Sequence, residues 1–175
     1  MTKFEKQLQF SHDSGVNVFN FFLGDPKNVA CSLDGLYIDG NVALSDQLEN
    51  DAERSCVLSE ELGHHFTTSG DILDQSSIEN RKQELRARTW AYNSLVGLHG
   101  IIDAYHHGCR NRYEMAEYLE ITEQFLMDAI SRYKSKYGLY KKIGNYMIMF
   151  EPLGVLELYK QEDCNSYEQE NRKRE

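Results

Sequence analysis

The segment Ser59-Glu60-Glu61-Leu62-Gly63-His64-His65 concentrates the acid, base and metal-ligating side chains of this chain. Glu60 and His64 are four residues apart, so on a helix they project from one face, one turn apart. Glu61 points about a quarter turn round from them. In an H-E-x-x-H helix, two same-face ligands hold Zn²⁺, and the glutamate after the first ligand takes the proton of the metal-bound water. Here Glu60 stands in the first ligand position, and a carboxylate oxygen binds zinc at about 2.0–2.2 Å. Acidic pairs followed by histidine also occur on solvated helix faces, so the spacing alone leaves a charged surface patch open as well.

Such a site needs a third ligand. It usually comes from a following helix, and Glu84 lies twenty residues after His64, in Lys82-Gln83-Glu84-Leu85-Arg86-Ala87-Arg88-Thr89-Trp90-Ala91-Tyr92. His65 projects roughly 100° from His64 and belongs to a different face, as a supporting or substrate-facing residue. His106 and His107 are neighbours that diverge on a helix, which fits a solvated helix end better than a metal pair. His12 and His99 read as surface or partly buried residues, and the sequence does not position Asp71 or Asp103. There is no Ser/His/Asp arrangement, phosphate-cradling glycine loop or Walker pattern.

The elements that must carry these residues follow from periodicity. Residues 2–13 read as an amphipathic helix with Phe4 and Leu8 on one face, ended by Gly15. Residues 16–23 have the β-branched and aromatic content of a strand, closed by the turn Gly24-Asp25-Pro26. Gly35–Ile38 and Asn41–Leu44 flank Asp39-Gly40, a hairpin signal because both central residues need positive φ. The first third is therefore expected to form a small antiparallel sheet. Helices are predicted over about 48–67 (Ala52, Cys56, Val57 and Leu62 inward) and 77–96 (Leu85, Trp90, Ala91 and Leu95 inward). Thr67–Asp71 reads as a loop, and Ile101–Tyr105 as a short helix or turn. Residues 111–137 read as two helices joined tightly, with Thr122 as N-cap of the second and Gly138 as its stop. Gly144-Asn145 marks a second hairpin between 139–143 and 146–151. The fold class is α+β.

The pairing of Glu60-Glu61-Leu62-Gly63-His64-His65 with Glu84-x-x-Ala87-x-x-Trp90-Ala91 resembles the ImmA/IrrE family of metallopeptidases, in particular members borne by phages and integrative elements of Gram-positive bacteria. The resemblance implies a zincin-like pair of helices packed on the small sheet, with Glu84 completing the zinc site. The family's zinc helix usually has histidine where this chain has Glu60. Gly35–Gly40 with Ala43-Leu44 is similar to the family's hairpin before the active-site helix, and Cys109–Leu119 to its C-terminal helical extension. About residues 1–160 take part. The layout it implies is a metallopeptidase core over 1–108 and a helix-turn-helix-like extension and hairpin over 109–160; residues 161–175, charged and almost without apolar periodicity, read as a flexible tail. Zn²⁺ would be held by Glu60, His64 and Glu84, with Glu61 as catalytic base, and the implied substrate is a helix-turn-helix repressor of a mobile element. Two carboxylate ligands bring the site's net charge near zero, which makes zinc a weaker Lewis acid and points to a slow or partner-activated enzyme. The competing class is a binding protein that keeps the fold and sequesters a repressor or another regulator without cutting it.

Composition bounds these readings. The 175 residues carry 19 Lys+Arg against 28 Asp+Glu, a formal net charge of −9. That balance argues against non-specific binding to nucleic acid or an anionic membrane. The helical pair over 111–137 has the look of a DNA-binding unit, but its second helix opens on Thr122-Glu123, an acid where phosphate contacts favour Lys or Arg. The basic residues Arg132, Lys134, Lys136, Lys141 and Lys142 fall late, where cations complement a helix C-terminus. A packing or protein-gripping role is the stronger reading. Four cysteines without a C-x-x-C spacing fit free thiols in a reducing cytoplasm. The longest apolar run, Met147–Phe150, is far short of a membrane span, and no signal-peptide pattern opens the chain.

Overall fold

In the first turn of the chain Thr2 caps helix α1 (Lys3–Asp13): its hydroxyl accepts from Glu5 N–H while the Glu5 carboxylate accepts from Thr2 N–H. This reciprocal box satisfies two donors that a helix start leaves without intrahelical partners. The structure is a computed structural model and describes residues 1–21, 33–67 and 78–158. Strand β1 (Asn17–Phe21) follows α1, then β2 (Gly35–Ile38) and β3 (Asn41–Ser45), in the sheet order β1-β3-β2. Asp39 and Gly40 both take positive φ (45° and 79°), so the Asp-Gly hairpin forms as its chemistry requires.

Helix α2 (Asp51–Thr67) lies on this sheet, and α3 (Ile78–Leu95) packs along α2 in the most extensive helix contact among the described residues. Val16, Val42, Leu44, Leu48, Leu58 and Leu62 form the core between the sheet and α2, with Phe4 and Leu8 of α1 closing one side. Helices α4 (Gly97–His107), α5 (Arg112–Tyr118) and α6 (Glu123–Tyr137) follow, then a meander of β4 (Tyr140–Ile143), β5 (Tyr146–Phe150) and β6 (Leu153–Glu157). Thr122 caps α6 by accepting from Phe125 N–H. A second core joins Ala91, Tyr92 and Leu95 of α3 to Ile101, Leu119, Leu126, Tyr133 and Ile148. Two polar ties reinforce it: Arg132 Nε donates to Thr89 Oγ1 (3.0 Å), and the Tyr133 hydroxyl donates to the Tyr92 carbonyl (3.0 Å).

The α+β class and both hairpins agree with the sequence, and three details differ. The N-terminal sheet is mixed, because β1 runs parallel to β3 while only β2 and β3 pair antiparallel. A parallel neighbour needs a longer connection than a hairpin turn, and residues 22–40, which include β2 itself, supply that length between β1 and β3. Leu85 is exposed, since the α3 face packed on its neighbours is that of Ala87, Ala91 and Leu95. Past the second hairpin, β6 adds a third strand against β5. The expected turn at 24–26, the loop beyond Thr67, Asp71, Cys31, Cys164 and the tail 161–175 lie outside the described residues. Among the described residues no helix is long and apolar enough to cross a membrane.

Candidate metal centre

Small residues determine how closely α2 and α3 approach. A Cβ added at Gly63 would stand 2.3 Å from the Ala87 carbonyl oxygen and 3.0 Å from the Ala87 Cα. Glycine and alanine at this crossing let one backbone rest on the other, with Ala87 and Ala91 fully buried. The contact fixes their neighbours. His64 follows Gly63, Glu84 lies one turn before Ala87, and the His64 Nε2 and Glu84 Oε2 atoms are 3.3 Å apart. The other Glu84 oxygen, Oε1, accepts from Arg88 Nε at 2.8 Å within α3. One carboxylate thus bridges a histidine on α2 and an arginine on its own helix.

Glu61 leaves α2 on the side of the sheet. A Cβ at Gly35 would stand 2.5 Å from Val57 Cγ1 and 2.9 Å from Glu61 Oε1, so the carboxylate occupies the space that a larger residue in β2 would fill. The Tyr37 backbone N–H donates to Glu61. Burial, with Glu60 and Glu84 nearby, pushes the Glu61 carboxyl up to about 7, against the smaller downward pull of that hydrogen bond. Glu60 is also raised, first by burial and then by Glu84, Asp128 and Asp34, while Arg88 opposes the shift. His64 is lowered by burial despite the neighbouring Glu84. The physical cause is shared: several carboxylates crowd a half-buried space in which the charged forms are poorly solvated.

His65 turns to another face, as its position after His64 dictates. Its Nδ1 lies 2.8 Å from the Tyr37 hydroxyl, which accepts from Gly40 N–H at 3.1 Å. Its ring stands edge-on to Phe66, which stacks on Trp90. His106 and His107 are exposed at the end of α4, and Asp103 is exposed on that helix. Tyr37 and Arg88 take part in the site although the sequence did not single them out. Arg88 was open to discovery, because a cation four residues after Glu84 shares its helix face. Tyr37 was not, because its contact with His65 crosses from strand to helix.

Two donors bound to one zinc at about 2.0–2.1 Å in a tetrahedral array stand about 3.3 Å apart. The His64–Glu84 pair has that separation, and imidazole nitrogen and carboxylate oxygen are both zinc donors, so this pair fits the ion. Glu60, one turn before His64, lies within electrostatic reach of Glu84 and Arg88. Among the described residues, however, no three His, Cys, Asp or Glu side chains converge as a ready-made metal group. The geometry brings two of the three expected ligands together, with Glu61 beside them. No protein-family model, curated protein or solved structure matches the chain.

Proposed function

We propose that the chain is a zinc-dependent endopeptidase. Glu60, His64 and Glu84 would hold the ion, and Glu61 would act as general base. The observation that carries this reading is the 3.3 Å approach of His64 Nε2 to Glu84 Oε2 across two helices. Bound zinc would polarise the scissile carbonyl and acidify a water. Glu61, buried between α2 and β2 with Glu60 and Glu84 nearby, is placed to accept that water's proton and return it to the leaving amine. Among the described residues β2 is an edge strand, and, with the Tyr37 N–H held by Glu61, its other outward backbone groups face the side on which an extended peptide would add. Arg88 beside Glu84 adds one positive charge, offsetting the charge lost by having Glu60 in place of a neutral histidine. By the resemblance stated above, the substrate is a helix-turn-helix repressor of a phage or mobile element in the cytoplasm, and cleavage derepresses the element.

One observation favours the second reading, a non-catalytic binder. Arg88 already supplies Glu84 with a cation at 2.8 Å, so the acidic cluster has a protein counter-charge of its own. Zinc titration against a chromogenic chelator separates the two. The peptidase reading expects one equivalent bound by the wild type and at least a tenfold loss in Glu84→Gln. That loss is the usual scale for removing a ligand or its support. A wild type that takes up no zinc refutes the peptidase and leaves the binder.

A further inference from the structure

Away from the α2–α3 centre, a cavity of about 620 Å³ opens between α5, α6 and the β5–β6 turn. Its volume falls within the roughly 300–1,000 Å³ of small-molecule sites. The floor is the outer wall of the second core: Met115, Ile130, Phe150 and Val155 are all buried, and Met127 stands at the rim, 39% exposed. The charge around it runs against that of the molecule. In a chain of net charge −9, the lining carries Arg110, Arg112 and Lys134 against the single carboxylate of Glu151. Arg112 is paired with Glu123 (2.8 Å), and Lys134 with Glu151. Arg110 has no side-chain ion pair among the described residues, although its backbone N–H donates to Glu114.

We propose that this cavity binds an amphipathic organic anion, an apolar body carrying one carboxylate, with Arg110 as the cation for the head group. The apolar floor selects the body through burial, and a guanidinium beside a low-dielectric wall selects the charge. A nucleic-acid backbone fits less well, because these cations ring an apolar concavity instead of lying on a polar ridge. The inference is independent of the zinc site, since none of these residues belongs to it.

Decanoate is a suitable probe, with decan-1-ol as its uncharged counterpart, added to the full chain carrying ¹³C-methyl methionine. Saturable shifts of the Met115 and Met127 methyl signals are expected, with Met147, outside the lining, as the control. Decanol should bind about tenfold more weakly, the scale of one hydrogen bond to a charged group. Arg110→Gln should bring decanoate down to the decanol level, and Met127→Trp, which fills the mouth from the exposed side, should abolish binding of both. Unchanged thermal melting of the two variants would show that they are folded. Three results would overturn the proposal: no saturable shift at Met115 and Met127, equal binding of decanoate and decanol, or undiminished binding by folded Met127→Trp. Zinc titration of the same variants should match the wild type, so a failure here is separable from a failure of the peptidase reading.

Discussion

Replacing Gly63 by alanine tests the α2–α3 crossing on which the candidate centre depends. On helix propensity alone the change should stabilise the protein, by up to about 1 kcal/mol. The structure predicts the reverse. The new Cβ would stand 2.3 Å from the Ala87 carbonyl oxygen, and ordinary contact begins near 3.4 Å, so the helices must part by about 1 Å. The Cβ position is fixed by the α2 backbone and its partner is the α3 backbone, so no rotamer relieves the clash. Overpacking of this kind costs about 1–3 kcal/mol, and the upper half of that range applies net of the propensity gain. For a chain of this length each kcal/mol lowers Tm by roughly 2–4 °C. Parting the helices also pulls His64 from Glu84, whose 3.3 Å separation has little room to grow before one zinc cannot span it. Urea denaturation followed by the single tryptophan, Trp90 on α3, measures the first effect, and chelator competition the second. A Gly63→Ala protein at least as stable as the wild type, with equal zinc affinity, would refute the close crossing.

Glu61→Gln should abolish repressor cleavage and leave zinc content intact, measured by a cleavage assay beside metal analysis. The same variant gives a pH signature in metal-free protein. Glu61 titrates near 7 when folded and near its ordinary value of about 4.5 when unfolded, so between these values the folded state holds a proton that the unfolded chain has released. Wild-type stability should therefore fall as pH rises through that window. Glu61→Gln should lack this component and exceed the wild type above about pH 7, with the advantage vanishing towards about pH 4, as urea midpoints would show. Glu60→His should bind zinc at least as tightly as the wild type in chelator competition, and a much weaker affinity would remove Glu60 from the ligand set. Thr122→Ala should cost about 1 kcal/mol in thermal or urea melting through loss of the α6 cap, leaving zinc affinity unchanged.

What could be read from the sequence depended on the range of the interaction responsible. Asp39-Gly40, Thr122 and the Glu60/His64 spacing express themselves within a few residues, and each stands where local chemistry put it. The direction of β1 was not legible, because it follows from which strand of the hairpin β1 joins, β3 and not β2, and that choice leaves no mark on residues 17–21. Leu85 misled because an apolar residue at helical spacing names a face but not a neighbour, and α2 packs on the alanine face instead. Within the centre, the resemblance pointed to Glu84 and the fold brings it to His64. The Gly35 contact with Glu61 and the Tyr37–His65 pair depend on how the hairpin lies against α2, which no residue pattern encodes.

Helix α3 faces two ways. Along one face it packs on α2, where Glu84 approaches His64, and towards its C-terminal end it is also part of the C-terminal core and tied to α6 through Thr89 and Tyr92. It is a shared beam, and neither half of the molecule owns it. Cutting the chain after α4 would strip Leu126, Ala129, Tyr133 and Ile148 from the wall against which that beam rests. A graft that exchanged only the C-terminal half for a foreign one would meet the same difficulty, since Ala91, Tyr92 and Leu95 would face an unmatched surface. Anyone engineering this scaffold should treat α3 and α6 as one inherited joint and change their facing residues together.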